Sequence, residues 1–120
     1  MHIEDFQAYC LSKNAVEETF PFDDTTLVYK VLGKMFTASG IDDEEFSVNL
    51  KCDPEWAEEL RAEYPDDIFP GWHMNKKHWN TVFFERNLEA EFLKKLIDHS
   101  YDLVVKGMRK KDRDLLANMD

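Results

Sequence analysis

The sequence predicts an α+β domain with an antiparallel sheet packed against helices, in the order helix, three or four strands, helix, two strands, helix. Three patterns carry that expectation. Segments of helical period open and close the chain, period-two and β-branched runs fill its middle, and turn residues separate those runs at hairpin spacing. At 120 residues with 43% hydrophobic content, the chain suits one domain (1–120) with a core that needs no staples.

Residues 2–14 place Ile3, Phe6 and Cys10 on one helical face, opposite Glu4, Asp5 and Lys13. Ala15 to Phe22, closed by Pro21, reads as an edge strand or extended arm, and Asp23–Asp24 as a turn. The run TLVYKVL (26–32) connects through Gly33–Lys34 to MFTASG, which makes a hairpin with Lys30 and Lys34 near its tip. Phe46, Val48, Leu50 and Cys52 alternate with Ser47, Asn49 and Lys51, a strand with one buried and one wet side.

Asp53–Pro54–Glu55 is a helix start: a capping carboxylate, proline at the first helical position, and an acid beside the positive end of the dipole. Trp56, Leu60 and Tyr64 form its apolar stripe, and Pro65 stops it. Ile68–Phe69 and Trp79 to Phe84 are two further strands. Asn87 is the expected cap of the last long helix, with Leu88, Phe92, Leu96, Tyr101 and Val104 inward. Gly107 ends it, before a short basic helix containing RKKDR, whose mixed charges read as a solvated face.

The net charge of −10 is unevenly spread. Residues 1–67 carry 5 basic and 17 acidic side chains, a balance of −12; residues 68–120 carry 10 and 8, a balance of +2. Long-range repulsion of polyanions is therefore expected, with room for a locally basic face. Cys10 and Cys52 are isolated, without CxxC spacing, which suits a reduced, cytoplasmic protein. The start MHIEDFQAYC lacks the layout of a secretion signal, and no apolar run is long enough to span a bilayer.

The most informative stretch is PDDIFPGWHMNKKHWNTVFF (65–84), where Trp72, His73, Asn75, Lys76, Lys77, His78 and Trp79 crowd around turn residues. Cations beside flat aromatic faces suit an anionic, stacking ligand, of which nucleic acid is the commonest. The plainer reading makes the tryptophans core and the lysines solvated; alternation then buries Trp79 and exposes His78 and Asn80, while Asn75 serves the turn. Chemistry beyond binding has no motif behind it: GxSxG, the P-loop and GxGxxG are absent, and adjacent acid pairs such as Asp66–Asp67 suit turns. His73 and His78 with His99 or Cys52 match no zinc spacing. No enzyme activity, metal or cofactor is expected.

The run PGWHMNKKHWNTV, with EWAEELRAEYPDDIF, TLVYKVLGKMFTASG and FSVNLKCDP before it, resembles the MmcQ/YjbR family of bacterial proteins across nearly the whole chain. The resemblance implies a compact YjbR-like α+β fold, α-β(3)-α-β(2)-α, similar to type III secretion chaperones and loosely to frataxin. It also implies a small cytoplasmic DNA-binding protein with a double-wing arrangement. Carried onto this chain, one wing is the Lys30–Gly33–Lys34 hairpin and the other the His73–Trp79 loop, with lysines on phosphate and Trp72 or Trp79 stacking or wedging. The expected partner is double-stranded DNA, bound by a monomer or weak dimer. The alternative is a chaperone-like or protein-interaction adaptor with no nucleic-acid activity, which would expose Trp72 and Met74 in an apolar patch.

Overall fold

The computed structural model describes residues 1–119. The chain runs α1 (Ile3–Leu11), β1 (Val16–Thr19), β2 (Thr26–Val31), β3 (Lys34–Gly40), β4 (Ser47–Lys51), α2 (Pro54–Glu63), β5 (Ile68–Pro70), β6 (Trp79–Phe83), α3 (Ala90–Lys106) and α4 (Lys110–Ala117). The strands form one antiparallel sheet in the order β1-β2-β3-β4-β6-β5. The expected α+β class holds, with four strands in the first block rather than the three the resemblance implies, because Val16–Thr19 pairs with β2 as an edge strand.

All four helices pack on one face of the sheet. Phe6 and Cys10 of α1, Ala57 and Leu60 of α2, Leu93, Leu96, Ile97 and Val104 of α3, and Leu116 of α4 join one core. The sheet supplies Leu27, Tyr29, Val31, Phe36, Val48, Leu50 and Val82 to it. At its centre the Phe6 ring meets Tyr29, Phe46 and Phe84 edge-on, with centroids 5.4–5.7 Å apart. That geometry adds quadrupole attraction to the apolar burial.

Period two sends the remaining strand residues to the other face: Lys30 and Val28 on β2, Ala38 on β3, Asn49 and Lys51 on β4, Trp79, Thr81 and Phe83 on β6, and Phe69 on β5. Among the described residues no helix covers this face. Its buried apolar residues, Val28, Ala38 and Trp79, stand outside the main core.

The helix starts show where local reading succeeds. The Asp53 carboxylate accepts from the Trp56 N–H at 3.2 Å, with Pro54 in the first turn, as the sequence implies. The α3 cap is Glu89 rather than Asn87, so the helix begins later and its inward stripe is Leu93, Leu96, Ile97 and Val104, with Leu88, Phe92 and Tyr101 at the margin. The β2–β3 turn is two residues, Leu32 and Gly33, at φ +47° and +80°, one residue earlier than the expected Gly33–Lys34 connection, because Lys34 pairs with Val31 as the first residue of β3. Two positive φ values match a type I′ turn, whose twist suits a hairpin. Leucine is costly there, and its side chain packing against the core offsets the strain.

The outer edges are blunted differently. On β5, Gly71 N–H donates to Trp79 C=O and Phe83 N–H to Asp67 C=O, so Asp67, Phe69 and Gly71 face β6 and Ile68 and Pro70 face outward. Pro70 has no N–H, and the Ile68 N–H is taken by Tyr64 C=O at 2.9 Å. The β1 edge carries Glu17 and Glu18.

Helix α3 also fixes the β4–α2 junction. Ser100 Oγ donates to Phe36 C=O and accepts from Lys51 N–H, while His99 Nε2 accepts from Asp53 N–H at 3.1 Å. Burial holds the His99 pKa below its usual value, against the carboxylates of Asp53 and Asp102.

Two outcomes test this packing. Phe6→Ala removes the ring at the centre of the aromatic cluster and is expected to lower stability by about 3–5 kcal/mol in urea denaturation. His99 is neutral when it accepts the Asp53 N–H, and its folded pKa lies below its unfolded value. Its contribution is therefore complete above roughly pH 6.5 and is lost as the pH falls through the lower folded value. Thermal unfolding at intervals between pH 7 and 5 should show that decline, and His99→Gln should flatten it.

Candidate functional site

Both loops singled out in the sequence lie at one end of the sheet. The β2–β3 tip, the end of β4 at Lys51 and the start of β6 at Trp79 share that end by register. From the middle of the hairpin to the middle of the β5–β6 loop is three strand spacings, about 14 Å.

The β5–β6 loop, residues 71–78, is folded over the open face by specific bonds. Asn75 C=O accepts from the N–H groups of His78 and Trp79, and Asn75 Oδ1 accepts from Lys77 N–H at 2.9 Å. The asparagine thus builds the turn through its side chain and carbonyl, while the left-handed backbone falls at His73, φ +58°. Cys52 N–H donates to His78 C=O, which ties the loop to the β4–α2 junction. A Cβ at Gly71 would come within 2.9 Å of Trp79 Cβ and 3.1 Å of Met74 Cβ, so only glycine lets the loop approach this closely.

Trp72 is the exception to this inward folding. Its N–H donates to Thr81 Oγ1 at 2.9 Å, its C=O accepts from Asn49 Nδ2 at 3.3 Å, and the Thr81 hydroxyl donates to Asn49 Oδ1 at 2.5 Å. The backbone is clamped to the sheet face while the indole is 70% exposed, with the His73 ring edge-on at 5.1 Å.

The nine residues marked by the sequence separate into three groups. Lys34, Trp72, His73, Asn75, Lys76 and Lys77 are exposed; Lys30 and His78 are partly buried; Trp79 is 9% exposed. Trp79 is a correction to its expected stacking or wedging role: the loop covers its ring, which makes it the loop's apolar anchor. Asn80 is a second correction: it points to the helix side, 2% exposed, with its amide donating to Ala57 C=O.

Lys51 joins the cationic end and was missed because only its place on the wet side of an alternating strand marked it. It stands opposite Trp79 in register, between the two wings. Among the described residues, Lys30, Lys34, Lys51, Lys76 and Lys77 take part in no ion pair, whereas Lys13, Arg86, Lys94, Arg109 and Lys110 do. Glu17 faces Lys30 across the strands without pairing to it. Lys76 Nζ donates to Gly71 C=O at 3.1 Å, leaving further donors on the ammonium.

The other titratable groups offer little chemistry. Burial pushes both thiols upward, Cys52 to about 12, and keeps them protonated and poorly nucleophilic. His99 and Cys52 border an internal crevice of about 10 Å³ on the helix side, and His73 and His78 belong to the loop on the other face. Among the described residues no group of three His, Cys, Asp or Glu side chains is placed to hold a metal ion, and no helix is long and apolar enough to cross a membrane.

Residues 11–103 match the YjbR family model. The uncharacterized protein YbdF of Escherichia coli O157:H7 is 39% identical over 98 residues, covering 82% of this chain and 80% of the relative. The uncharacterized protein YjbR of Escherichia coli K12 is 31% identical over 119 residues, covering 99% of this chain and all of the relative. Among solved structures, Deinococcus radiodurans DR2400, described as a DUF419 domain, superposes with a TM-score of 0.89 at 43% identity, over 98% of this chain and 89% of that one. A protein from Pseudomonas syringae gives 0.72 at 26% identity, over 87% and 99%. With the matched model spanning the hairpin, the clamped loop and most of the helical layer, the chain belongs to the YjbR family.

Proposed function

We propose that this protein binds DNA, contacting backbone phosphates through the two wings at the lysine end of its sheet. The observation that carries the reading is the set Lys30, Lys34, Lys51, Lys76 and Lys77: five cations at one end, none engaged by a carboxylate among the described residues, in a chain of net charge −10. Lys95, Lys106 and Lys111 also take part in no ion pair among the described residues, so it is the gathering of five cations at one end that supports the reading. Screening over about 8–10 Å lets this end act apart from the acidic body. Each exposed contact is worth about 1 kcal/mol or less, so the set acts together and the affinity is modest.

The test is fluorescence anisotropy with a labelled duplex and a labelled single strand at about 50 and 200 mM salt. Three to five phosphate contacts predict an affinity loss of roughly 40- to 500-fold over that range. Lys76→Ala with Lys77→Ala should reduce the log–log salt slope by about 2. Absence of binding by duplex and single strand alike at the lower salt, or binding indifferent to salt, removes the proposal.

A second reading, contact with a protein partner, has its own observation. At the opposite end of the sheet Phe22 is 69% exposed, Phe20 42% and Ile41 41%, and the Ile41 N–H donates to Thr25 C=O, joining the two loops. A nuclease-resistant pull-down that Phe22→Asp abolishes would support it; retention of the same partner by Phe22→Asp would dismiss that patch.

A further inference from the structure

The clamped tryptophan narrows the ligand. Trp72 is held at both backbone polar groups by side chains of two strands, yet its ring lies 70% in solvent. The fold gains little from that ring, which among the described residues meets one aromatic neighbour, the exposed His73. The ordering cost of a flat recognition surface has been met before any ligand arrives. Phe69 stands directly opposite Thr81, the residue that holds Trp72 N–H, and is 37% exposed. The Phe83 ring backs it at 5.6 Å, edge-on. Two exposed rings therefore flank one threonine on a sheet face with no helix over it.

Cations adjoin the rings on one side. Lys51 is two residues along β4 from Asn49 and shares its face, and the Lys76 ammonium bonds the carbonyl of Gly71, next to Trp72 in the chain. On the other side Arg86 is held by Glu45 and by Asp66 C=O, which spends its charge within the protein. Phosphates are thus favoured at the loop end and rings at the strand centre.

We propose that Trp72, with Phe69 beside it, stacks unpaired bases, so that the DNA bound here is single-stranded; this rests on the reading of the lysine end as a nucleic-acid contact. In a duplex the base faces are already stacked, and inserting an indole requires unstacking a step. Five surface lysines return too little to offset that. A single strand presents its bases free and carries a lower charge density toward an acidic protein, while stacking on an aromatic ring is tolerant of sequence.

Anisotropy with a labelled oligothymidine of about 12 nucleotides and with its duplex, both at about 50 mM salt, separates the cases. The expected result is a single strand bound at least about tenfold more tightly than the duplex, weakened about 10- to 100-fold by Trp72→Ala and largely retained by Trp72→Phe. Binding should quench tryptophan emission in the native protein and not in Trp72→Phe. A duplex bound as tightly as the single strand, or a single strand indifferent to Trp72→Ala, overturns the inference. If binding then still falls with Lys76→Ala and Lys77→Ala, the phosphate contact stands without the stacking site. If neither nucleic acid binds, both readings fall together.

Discussion

One-sided burial governs this molecule. Six strands form a single sheet, and four helices all seek its same face, where Phe6, Tyr29, Phe46 and Phe84 interlock. A sheet face left in water must be polar, short or otherwise covered. This chain answers with a loop. Residues 71–78 fold back over the start of β6, Trp79 fills the space beneath, and glycine at position 71 permits the approach. The polar pair Asn49 and Thr81, which would otherwise be solvated, instead bonds the backbone of Trp72. The loop's shape is therefore a consequence of the exposed face rather than an appendage to it.

The charges follow the same division. Several acids serve local structure: Asp23 caps the turn into β2, accepting from Thr25 and Thr26 N–H groups that hold its carboxyl below the usual range. Glu45 pairs Arg86 on the far side of the sheet from the hairpin tip. The lysines of the wings pair with no carboxylate among the described residues, and Lys76 alone of them bonds the loop, at Gly71 C=O. A strongly negative total is thus compatible with a local cationic end, because net charge is a property of the sum and contact energies are decided within a Debye length.

The sequence was most legible where one local interaction sufficed. Asp53 and Pro54 started a helix, the glycine after TLVYKVL marked a hairpin to within one residue, and the alternation from Phe46 to Cys52 assigned each side chain its face. It was least legible where long-range packing chose between equivalent local options. Asn87 and Glu89 can each precede a helix, and the fit of Leu93 and Ile97 against the sheet selected the later start. Trp72 and Trp79 read alike as residues, but register put one beneath a loop and the other outside it. Lys51, Asn49 and Thr81 belong to the site only because strands distant in sequence bring them under Trp72. A spacing rule within one segment has no access to that.

The outer strand β5 has a consequence for how copies of this protein meet. An unfinished sheet grows by offering alternating donors and acceptors to the next strand. The outward positions of β5 offer carbonyls alone, since Pro70 has lost its N–H to a ring and Ile68 has given its own to Tyr64. Any strand laid alongside would find half the ladder missing. The β1 side answers a second copy with Glu17 and Glu18 against the same pair. Growth by sheet extension is thereby closed in both directions, by stereochemistry on one flank and by like charge on the other. The exposed rings on the open face are tolerable in a crowded solution for that reason: the edges that would lock a chance encounter into a fibre are not available.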